Sequence, residues 1–258
     1  MGNQLRVMTF NIKNSRDILN IKHRWKLRKK EVLSLLQKYS PDVIALQEVL
    51  IEQLEYLAPN LPNYEYVGVG RDDGIHKGEF NPIFYRTSLD PDDYGTFWLS
   101  DTPEICSNTW GGLNRICTWI NFKEESFAFF NTHFEHRKAK IRLKSIPLLI
   151  SQIEQQTQDM PVIVSGDFNF GRNSKEYSLM SQYFQDIYSY DQENRFKWAV
   201  TSHGFKGKTK SRSIRNGRKL IDYIWLKGDF KVLHTQIIHD NPRASDHWPV
   251  LADLVLSK

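Results

Sequence analysis

The chain has 258 residues, of which 40% are hydrophobic, 13% aromatic and 25% charged. This composition is typical of a globular protein and excludes disordered and fibrous classes. No apolar run approaches the ~18–20 residues that a membrane-spanning helix requires, which excludes a transmembrane protein. The net charge is +5, and residues 206–219, with seven basic residues and no acid, account for all of this excess.

The basic segment 206–219 also contains glycines and lacks periodic apolar residues, which predicts a loop that can attract an anionic partner such as nucleic-acid phosphate. Two smaller basic clusters, at residues 22–30 and 137–144, are typical of solvated helix faces. Cys106 and Cys117 are too few for a disulfide framework, and we assign them no function. Because the first six residues lead directly into a strand-like run, without the pattern of a signal peptide, we expect a cytoplasmic protein.

Short apolar runs alternate with helical patterns along the whole chain, and no linker or internal repeat divides it. The sequence therefore predicts one domain over residues 1–258, in which strands predominate. Strands are predicted from runs rich in β-branched and aromatic residues at 5–10, 42–49, 82–86, 115–122, 127–133, 162–165, 220–226 and 250–256.

Two segments have helical spacing. A helix is predicted at 24–38, because Trp25, Val32, Leu36 and Tyr39 fall on one face, and Pro41 is expected to end it. Residues 139–155 have the same spacing, with Pro147 expected to kink the helix or to end its first segment.

Carboxylates, amides and histidines recur where apolar strands end, and we expect all of them to follow the carboxyl ends of strands. Loops at strand ends are where α/β folds collect catalytic groups. Each residue alone is compatible with a turn or a satisfied core position, but the set indicates a catalytic site. Its members are Asn11, Glu48, His133, Asp167, Asn169, Asp222, Asp246 and His247.

Hard oxygen ligands without cysteine favour Mg²⁺, with Mn²⁺ as the alternative ion. Zinc is disfavoured, because His133 and His136 are three residues apart, whereas the HExxH motif requires four. The sequence lacks the GxSxG, GxxxxGK[ST] and GxGxxG motifs, which argues against serine hydrolases, P-loop NTPases and dinucleotide enzymes.

The same polar residues lie in six ordered blocks that resemble the signature blocks of the endonuclease/exonuclease/phosphatase superfamily, the deoxyribonuclease I-like enzymes. Stretches at 78–86, 97–100 and 115–119 resemble a bacterial branch of it whose members mostly lack an assigned substrate. The resemblance implies a four-layer α/β sandwich of two face-to-face mixed β-sheets flanked by helices. The six blocks are Thr9-Phe10-Asn11, Leu46-Gln47-Glu48-Val49, Asn131-Thr132-His133, Gly166-Asp167-Phe168-Asn169, Ile221-Asp222-Tyr223-Ile224 and Ser245-Asp246-His247-Trp248-Pro249-Val250.

The resemblance also implies residue roles. Glu48 would be the principal metal ligand, assisted by Asn11 and by Asp246, directly or through water. Asp167 would orient and deprotonate the attacking water, and Asn169 would hold a phosphoryl oxygen. Such an arrangement cancels the charge that repels a water nucleophile and activates that water for in-line displacement.

On the same basis, His247, backed by Asp222, would face the scissile phosphate as an imidazolium, and His133 would do so from the other side, paired with Glu79. We expect further substrate contacts from Arg115 and Glu79 and from three residues of the basic loop, Lys208, Lys210 and Arg212.

The leading functional prediction is a divalent-metal-dependent phosphodiesterase that acts on nucleic acid or a nucleotide. A phosphomonoesterase for a small soluble phosphate (sugar, inositol or nucleotide) shares every catalytic residue and is the alternative. Tyr223 replaces the Arg that the resemblance leads us to expect after Asp222 in phosphoinositide 5-phosphatases, which disfavours that class. The lack of an apolar docking hairpin disfavours a sphingomyelinase-like phospholipid hydrolase, and the complete polar set disfavours a binding module without catalysis. No protein partner is inferred.

Overall fold

The computed structural model describes residues 4–16, 20–191, 193, 196, 199–207 and 220–256, which form twelve strands, four α-helices and two short 3-10 helices. The strands are β1 (Gln4–Asn11), β2 (Val43–Gln47), β3 (Tyr64–Val67), β4 (Ile83–Arg86), β5 (Asp93–Trp98), β6 (Ile116–Phe122), β7 (Phe127–His133), β8 (Val162–Asp167), β9 (Gln185–Asp186), β10 (Asp222–Lys227), β11 (Phe230–Ile237) and β12 (Val250–Leu256). The helices are α1 (Trp25–Tyr39), α2 (Ile51–Asn60), α3 (Ala139–Thr157) and α4 (Lys175–Met180). Within the described ranges, no helix has both the length and the apolar character needed to cross a membrane.

The strands form two six-stranded sheets, with the orders β11-β12-β1-β2-β4-β3 and β5-β6-β7-β8-β10-β9. Both sheets are mixed, because β1 pairs with β2 and β7 with β8 in parallel, whereas the other neighbours are antiparallel. The sheets contact each other through β1, β2, β7 and β8. The α/β sandwich with two mixed sheets, expected from the sequence, is confirmed.

The period-two pattern of the central strands divides their side chains between two cores. Val7 and Val43 belong to the large core that includes residues of the second sheet, whereas Met8 and Ile44 belong to a smaller core beneath α1 and α2. Both faces of these strands are therefore buried, which is why β1 and β2 are almost continuously apolar.

Helix α1 agrees with the prediction to within a residue at each end. Val32 and Leu36 are buried as expected, and Tyr39 is half-buried. The helix ends at Tyr39 because Ser40 adopts the left-handed conformation, with φ 46°, immediately before Pro41. The residue before a proline is disfavoured in a right-handed helix, so the two features act together.

Helix α3 does not end at Pro147, so the alternative that its first segment ends there is wrong, whereas a kink at this residue stays a prediction. The helix continues to Thr157. Pro147 lies on the exposed side, whereas Ile146, Leu149 and Ile153 are buried in the large core. Burial of each such side chain contributes about 1.5–3 kcal/mol, and together they offset the roughly 3 kcal/mol cost of an internal proline.

Candidate active site

Two parallel strand pairs bring four of the predicted site residues to one edge of the sandwich. Asn11 ends β1, and Glu48 follows the last residue of β2. In the second sheet, His133 ends β7 and Asp167 ends β8, and the two residues are paired in register. The carboxyl ends of parallel neighbours lie at the same edge, which explains why these polar residues meet there.

Asn169 follows β8 at the same edge, and the other three residues reach this edge from the opposite strand direction. Asp222 is the first residue of β10, and its register partner on the antiparallel β8 is Asp167. Asp246 and His247 precede β12, which runs antiparallel to β1. The expectation that all eight polar residues follow carboxyl ends is therefore wrong for these three, because an antiparallel strand begins where its neighbour ends.

A buried amide network holds the two sheets together beneath the site. The Gln47 side-chain amide donates to Asn131 Oδ1 at 2.7 Å and to Thr9 Oγ1 at 3.0 Å. Asn131 in turn donates to the backbone carbonyls of Leu46 and Pro82, at 2.8 and 2.9 Å. All of these groups are buried, so the network fixes the spacing between the strand ends that carry the site.

His247 is held in its charged form by Asp222. Its Nδ1 lies 2.9 and 3.1 Å from the two Asp222 carboxylate oxygens, and its Nε2 lies 3.9 Å from Asp167 Oδ2. Burial alone lowers the pKa of His247, but the Asp222 charge and hydrogen bond, together with the Asp167 charge, raise that pKa to about 10. The ring is therefore an imidazolium at neutral pH, with Nε2 directed toward Asp167.

Asp167 is 2% exposed and lies at the centre of the cluster. Burial and the neighbouring Asp222 charge raise its pKa to about 7, against the opposing effects of His247 and of hydrogen bonds from Asn11 and Asn169. Asn11 Nδ2 donates to Asp167 Oδ2 at 3.0 Å, and the Asn169 N–H donates to Oδ1 at 3.0 Å. A carboxylate with a pKa near neutrality is suited to accept a proton from water.

Glu48 lies on the other side of Asn11, whose Nδ2 donates to Glu48 Oε1 at 3.1 Å. Lys13 Nζ lies 3.5 Å from Glu48 Oε2 and 4.0 Å from Asp246 Oδ2. Burial raises the pKa of Glu48, but Lys13, the Asn11 hydrogen bond and His247 outweigh this effect and hold the pKa below its usual value. Glu48 has φ 59°, a left-handed conformation that costs a non-glycine residue about 1–3 kcal/mol and is found mostly at functional sites.

Two arrangements in the described ranges can be compared as metal sites. Asp167, Asp222 and His247 have ligand atoms within 4.8 Å of one another. However, His247 Nδ1 is already engaged by Asp222, and the imidazolium form is not a metal ligand. Glu48 and Asp246 instead both approach one cation, the Lys13 ammonium, so the space between these carboxylates accommodates a positive charge. Their oxygens are the donor type that Mg²⁺ and Mn²⁺ prefer.

His133 is buried, and its Nε2 lies 3.6 Å from Asp167 Oδ2. Burial, followed by the charges of Arg115 and Arg71, lowers its pKa well below the usual value. The ring is therefore neutral here and offers a hydrogen bond rather than a full charge. Its Nδ1 has no hydrogen-bond partner among the described residues.

The expected pairing of His133 with Glu79 is not found. Glu79 forms a buried ion pair with Arg71 Nη1, and its Oε1 accepts from Asn14 Nδ2 at 2.9 Å. Asn14 also donates to Glu48 Oε2, at 3.0 Å from Nδ2 and 3.2 Å from the backbone N–H. Glu79 therefore connects Arg71 to the carboxylate cluster, because a buried guanidinium is a stronger partner for a carboxylate than a neutral imidazole.

Arg115 is 5% exposed. Its Nη2 lies 3.2 Å from His136 Nδ1 and its Nε 3.9 Å from Glu135 Oε2, but Nε and Nη1 have no hydrogen-bond partner in the part of the chain that the structure describes. Burial and the charge of Arg71 lower its pKa. Buried donors almost always find a partner, so these N–H groups are available to an oxygen from outside the chain.

Three predicted substrate contacts, Lys208, Lys210 and Arg212, lie outside the described residues. Three further residues of the site, Lys13, Asn14 and Arg71, were not predicted from the sequence. Lys13 and Asn14 directly follow the Thr9-Phe10-Asn11 block, and this proximity was the one signal that could have identified them.

The model of the Endonuclease/Exonuclease/phosphatase family matches residues 8–247. The solved structure of an endonuclease/exonuclease/phosphatase from Bacteroides vulgatus is 33% identical, with a TM-score of 0.85 over 99% of this chain and 100% of that chain. The mannosyl-6-phosphatase of Bacteroides thetaiotaomicron is 28% identical, with a TM-score of 0.83 over 98% of this chain and 100% of that chain.

Among curated relatives, human Tyrosyl-DNA phosphodiesterase 2 is 23% identical over 266 residues, which cover 98% of this chain and 68% of that protein. The chain spans 36% to 68% of the lengths of the curated relatives that it matches. The extent of the family match, together with the two mixed sheets and the polar cluster at their common edge, shows that the chain belongs to the endonuclease/exonuclease/phosphatase family.

Proposed function

We propose that the protein is a divalent-metal-dependent phosphodiesterase that hydrolyses a phosphodiester in nucleic acid or a nucleotide by in-line attack of water. The observation that carries this proposal is the position of Asp167, a buried carboxylate with a pKa of about 7 between two histidines. A general base is most effective when its pKa lies near the working pH, because it is then both deprotonated and basic.

In the proposed reaction, Asp167 orients the attacking water and accepts its proton. The new P–O bond forms opposite the bond to the leaving-group oxygen, which breaks, and the released alkoxide takes a proton from solvent. The His247 imidazolium, held by Asp222, faces the phosphoryl group and stabilises the negative charge that grows on its oxygens. His133 and the Asn169 amide donate hydrogen bonds to the same group. Removal of one such contact typically reduces turnover by ~10²–10³, since each acts where charge develops in a water-poor site.

Glu48 and Asp246 would hold the divalent ion, with Asn11 nearby. Their oxygen donors, converging on the Lys13 ammonium, fit Mg²⁺ or Mn²⁺. When bound, such an ion polarises a phosphoryl oxygen and offsets the charge of the substrate. Asn11 ties this ion site to the base, because one amide group donates to both Glu48 and Asp167.

Two observations favour a diester of nucleic acid or a nucleotide. The sequence places its entire positive excess in residues 206–219, and such segments bind phosphate backbones. A relative that aligns with 98% of this chain is a tyrosyl-DNA phosphodiesterase.

A phosphomonoesterase for a small phosphate is the second candidate, and Arg115 supports it. Arg115 Nε and Nη1, which have no hydrogen-bond partner among the described residues, are suited to the extra oxygen and charge of a terminal phosphate. The similar mannosyl-6-phosphatase from Bacteroides thetaiotaomicron, which matches over its full length, acts on a monoester by its name.

The test is hydrolysis of bis(p-nitrophenyl) phosphate, p-nitrophenyl phosphate, and single-stranded and duplex oligonucleotides, with Mg²⁺, Mn²⁺ or EDTA. We expect metal-dependent cleavage of the diesters that is lost in Asp167→Asn and kept in the control Asp229→Asn, an exposed carboxylate in the turn after β10. Release from the monoester alone would favour the second candidate. Full activity of Asp167→Asn would contradict the mechanism.

The cytoplasmic location and the single domain remain predictions from the sequence.

A further inference from the structure

A cavity with a volume of about 560 Å³ lies at the beginning of α1. This volume falls within the roughly 300–1,000 Å³ that small-molecule sites occupy. The cavity lies between the beginning of α1, the segment 199–207 and the loop after β11, and it overlaps the basic cluster 22–30. It is lined chiefly by Lys22, His23, Glu31, Phe205, Pro242 and Arg243.

One wall of this cavity is hydrogen-bonded to the backbone of segments that carry the candidate site. Arg28, which also lines it, donates to the carbonyl oxygens of Ile12, Lys13, Asn14 and Ala244, the last two at 3.0 Å. The cavity therefore shares a buried guanidinium with the segment that presents Lys13 to the carboxylate cluster.

The opposite wall is attached to the loop of Asp246 and His247. Ser202 forms a backbone bridge with His247, and the N–H groups of His203 and Gly204 donate to the Asp246 carbonyl at 2.7 and 2.9 Å. Phe205 follows directly. A group seated in the cavity would thus lie next to a phosphate bound at His247.

Phe205 and His23 form an aromatic wall. Their rings stack with centroids 3.9 Å apart and planes 13° from parallel. Phe205 has φ 58°, a conformation that is unfavourable for a bulky side chain and is usually found where function requires a side chain in one place. Stacked aromatic rings at a half-exposed position are a platform for the flat face of a nucleobase.

The polar groups of the cavity define which base fits. Glu31 lines the cavity, and its buried Oε2 has no hydrogen-bond partner among the described residues, so this oxygen is suited to accept an N–H from a ligand. Guanine presents a ring N–H and an amino group side by side, whereas uracil presents one ring N–H between two carbonyl acceptors that a carboxylate repels. Lys22 and Arg243 are exposed at the rim, where a phosphate would be attracted.

We propose that this cavity binds the nucleobase of the nucleotide next to the scissile phosphate, with a preference for guanine over uracil. The inference rests on the proposed function, since it assigns a substrate subsite to the same reaction. The ring would stack on the outer face of the Phe205–His23 pair, its N–H groups would donate to Glu31, and its phosphate would lie toward His247.

Equilibrium binding of GMP, UMP and mannose 6-phosphate to the full chain with Mg²⁺, by calorimetry, tests the cavity independently of turnover. We expect GMP to bind about tenfold more tightly than UMP, because one pair of hydrogen bonds to a base edge typically discriminates between bases by about this factor. Phe205→Ala should weaken both nucleotides by roughly tenfold. Glu31→Gln should abolish the difference between them.

Matched controls are Tyr66→Ala, an exposed aromatic residue on β3, and Glu55→Gln, an exposed carboxylate on α2. Both should bind GMP as the unaltered protein does. Equal binding of GMP and UMP by the unaltered protein, or unchanged binding by folded Phe205→Ala and Glu31→Gln variants, would overturn the proposal. Tighter binding of mannose 6-phosphate than of GMP would overturn it in favour of a sugar subsite.

A kinetic measurement separates this inference from the proposed function. The ratio of kcat/KM for guanosine and uridine dinucleotides should exceed about ten in the unaltered protein and approach one in Glu31→Gln. If the proposed function is wrong, no diester will be hydrolysed, including bis(p-nitrophenyl) phosphate. The binding measurement would still show whether the cavity prefers GMP to UMP. Hydrolysis of the diesters with an equal ratio in both proteins would overturn the cavity alone.

Discussion

Replacing Asp222 by asparagine tests the charge arrangement of the site, because this carboxylate raises the pKa of both proton-carrying groups, His247 and Asp167. It holds the pKa of His247 at about 10 through a 2.9 Å hydrogen bond and its charge. It also helps burial to raise the pKa of Asp167 to about 7. Asparagine keeps the shape of the side chain and removes the charge, so both pKa values should fall.

The magnitude follows from the titration of His247. Without Asp222, the pKa of this buried ring should fall well below about 10, since burial disfavours the imidazolium and only the charges of Asp167 and Asp246 still raise the pKa. A fall to the ordinary value of about 6.5 would reduce the imidazolium fraction at pH 8 from nearly complete to about 3%, and turnover should then fall by about 30-fold. At pH 6 the deficit should narrow, because His247 is again largely charged and Asp167 is more fully deprotonated.

The assay is the dependence of kcat/KM on pH between 5 and 10.5 with saturating Mg²⁺ and a chromogenic diester. The unaltered protein should show a rise near pH 7, as Asp167 loses its proton, and a fall near pH 10, as His247 loses its proton. In Asp222→Asn both limbs should move to lower pH, whereas Asp229→Asn should leave them in place. An alkaline limb that stays near pH 10 in Asp222→Asn would refute the assignment of His247 as the charged group.

Three further changes have distinct expected results. Glu48→Gln should raise the Mg²⁺ concentration for half-maximal activity by more than about tenfold, since even the loss of a group that supports a metal ligand reduces metal affinity 10–100-fold. An unchanged Mg²⁺ titration would place the ion elsewhere. Arg115→Lys keeps the charge but loses the planar donor set, so KM for the phosphoester should rise by about tenfold in steady-state kinetics; an unaltered KM would remove Arg115 from the substrate contacts. Pro147→Ala should stabilise the fold by about 1–2 kcal/mol in urea unfolding, because alanine restores a backbone donor inside α3; a loss of stability would contradict a continuous helix.

Local sequence patterns predicted much of the framework. The runs that became β1, β6, β7, β8 and β12 were recognised because a strand buried on both faces is continuously apolar and rich in β-branched and aromatic residues. The short strands β3 and β9 and the exposed strands β5 and β11 were not predicted, since half of their residues are polar or exposed and carry no clear period. The alternative that the first helical segment ends at Pro147 was wrong, because burial of the opposite face of α3 outweighed the local effect of the proline.

The residue types of the candidate site were also readable from the sequence, because the chemistry of phosphoester hydrolysis requires carboxylates, amides and histidines, and these interrupt apolar runs. Only the tertiary structure decided their partners. Asp167 meets Asn11, 156 positions away, and His247 meets Asp222, 25 positions away, through the directions in which β8, β10 and β12 run.

Only the tertiary structure also decided the protonation states of the site and the contacts that the sequence did not predict. The pKa values of Asp167 and His247 depend on burial and on charges from distant segments, which no local pattern contains. Glu79 paired with Arg71 rather than with His133, and Phe205 met His23 across the chain, for the same reason. The sequence by itself thus determined which chemical groups are present and near which strand ends. The packing of two mixed sheets decided which of them touch, because contact and desolvation arise only when distant segments are buried against each other.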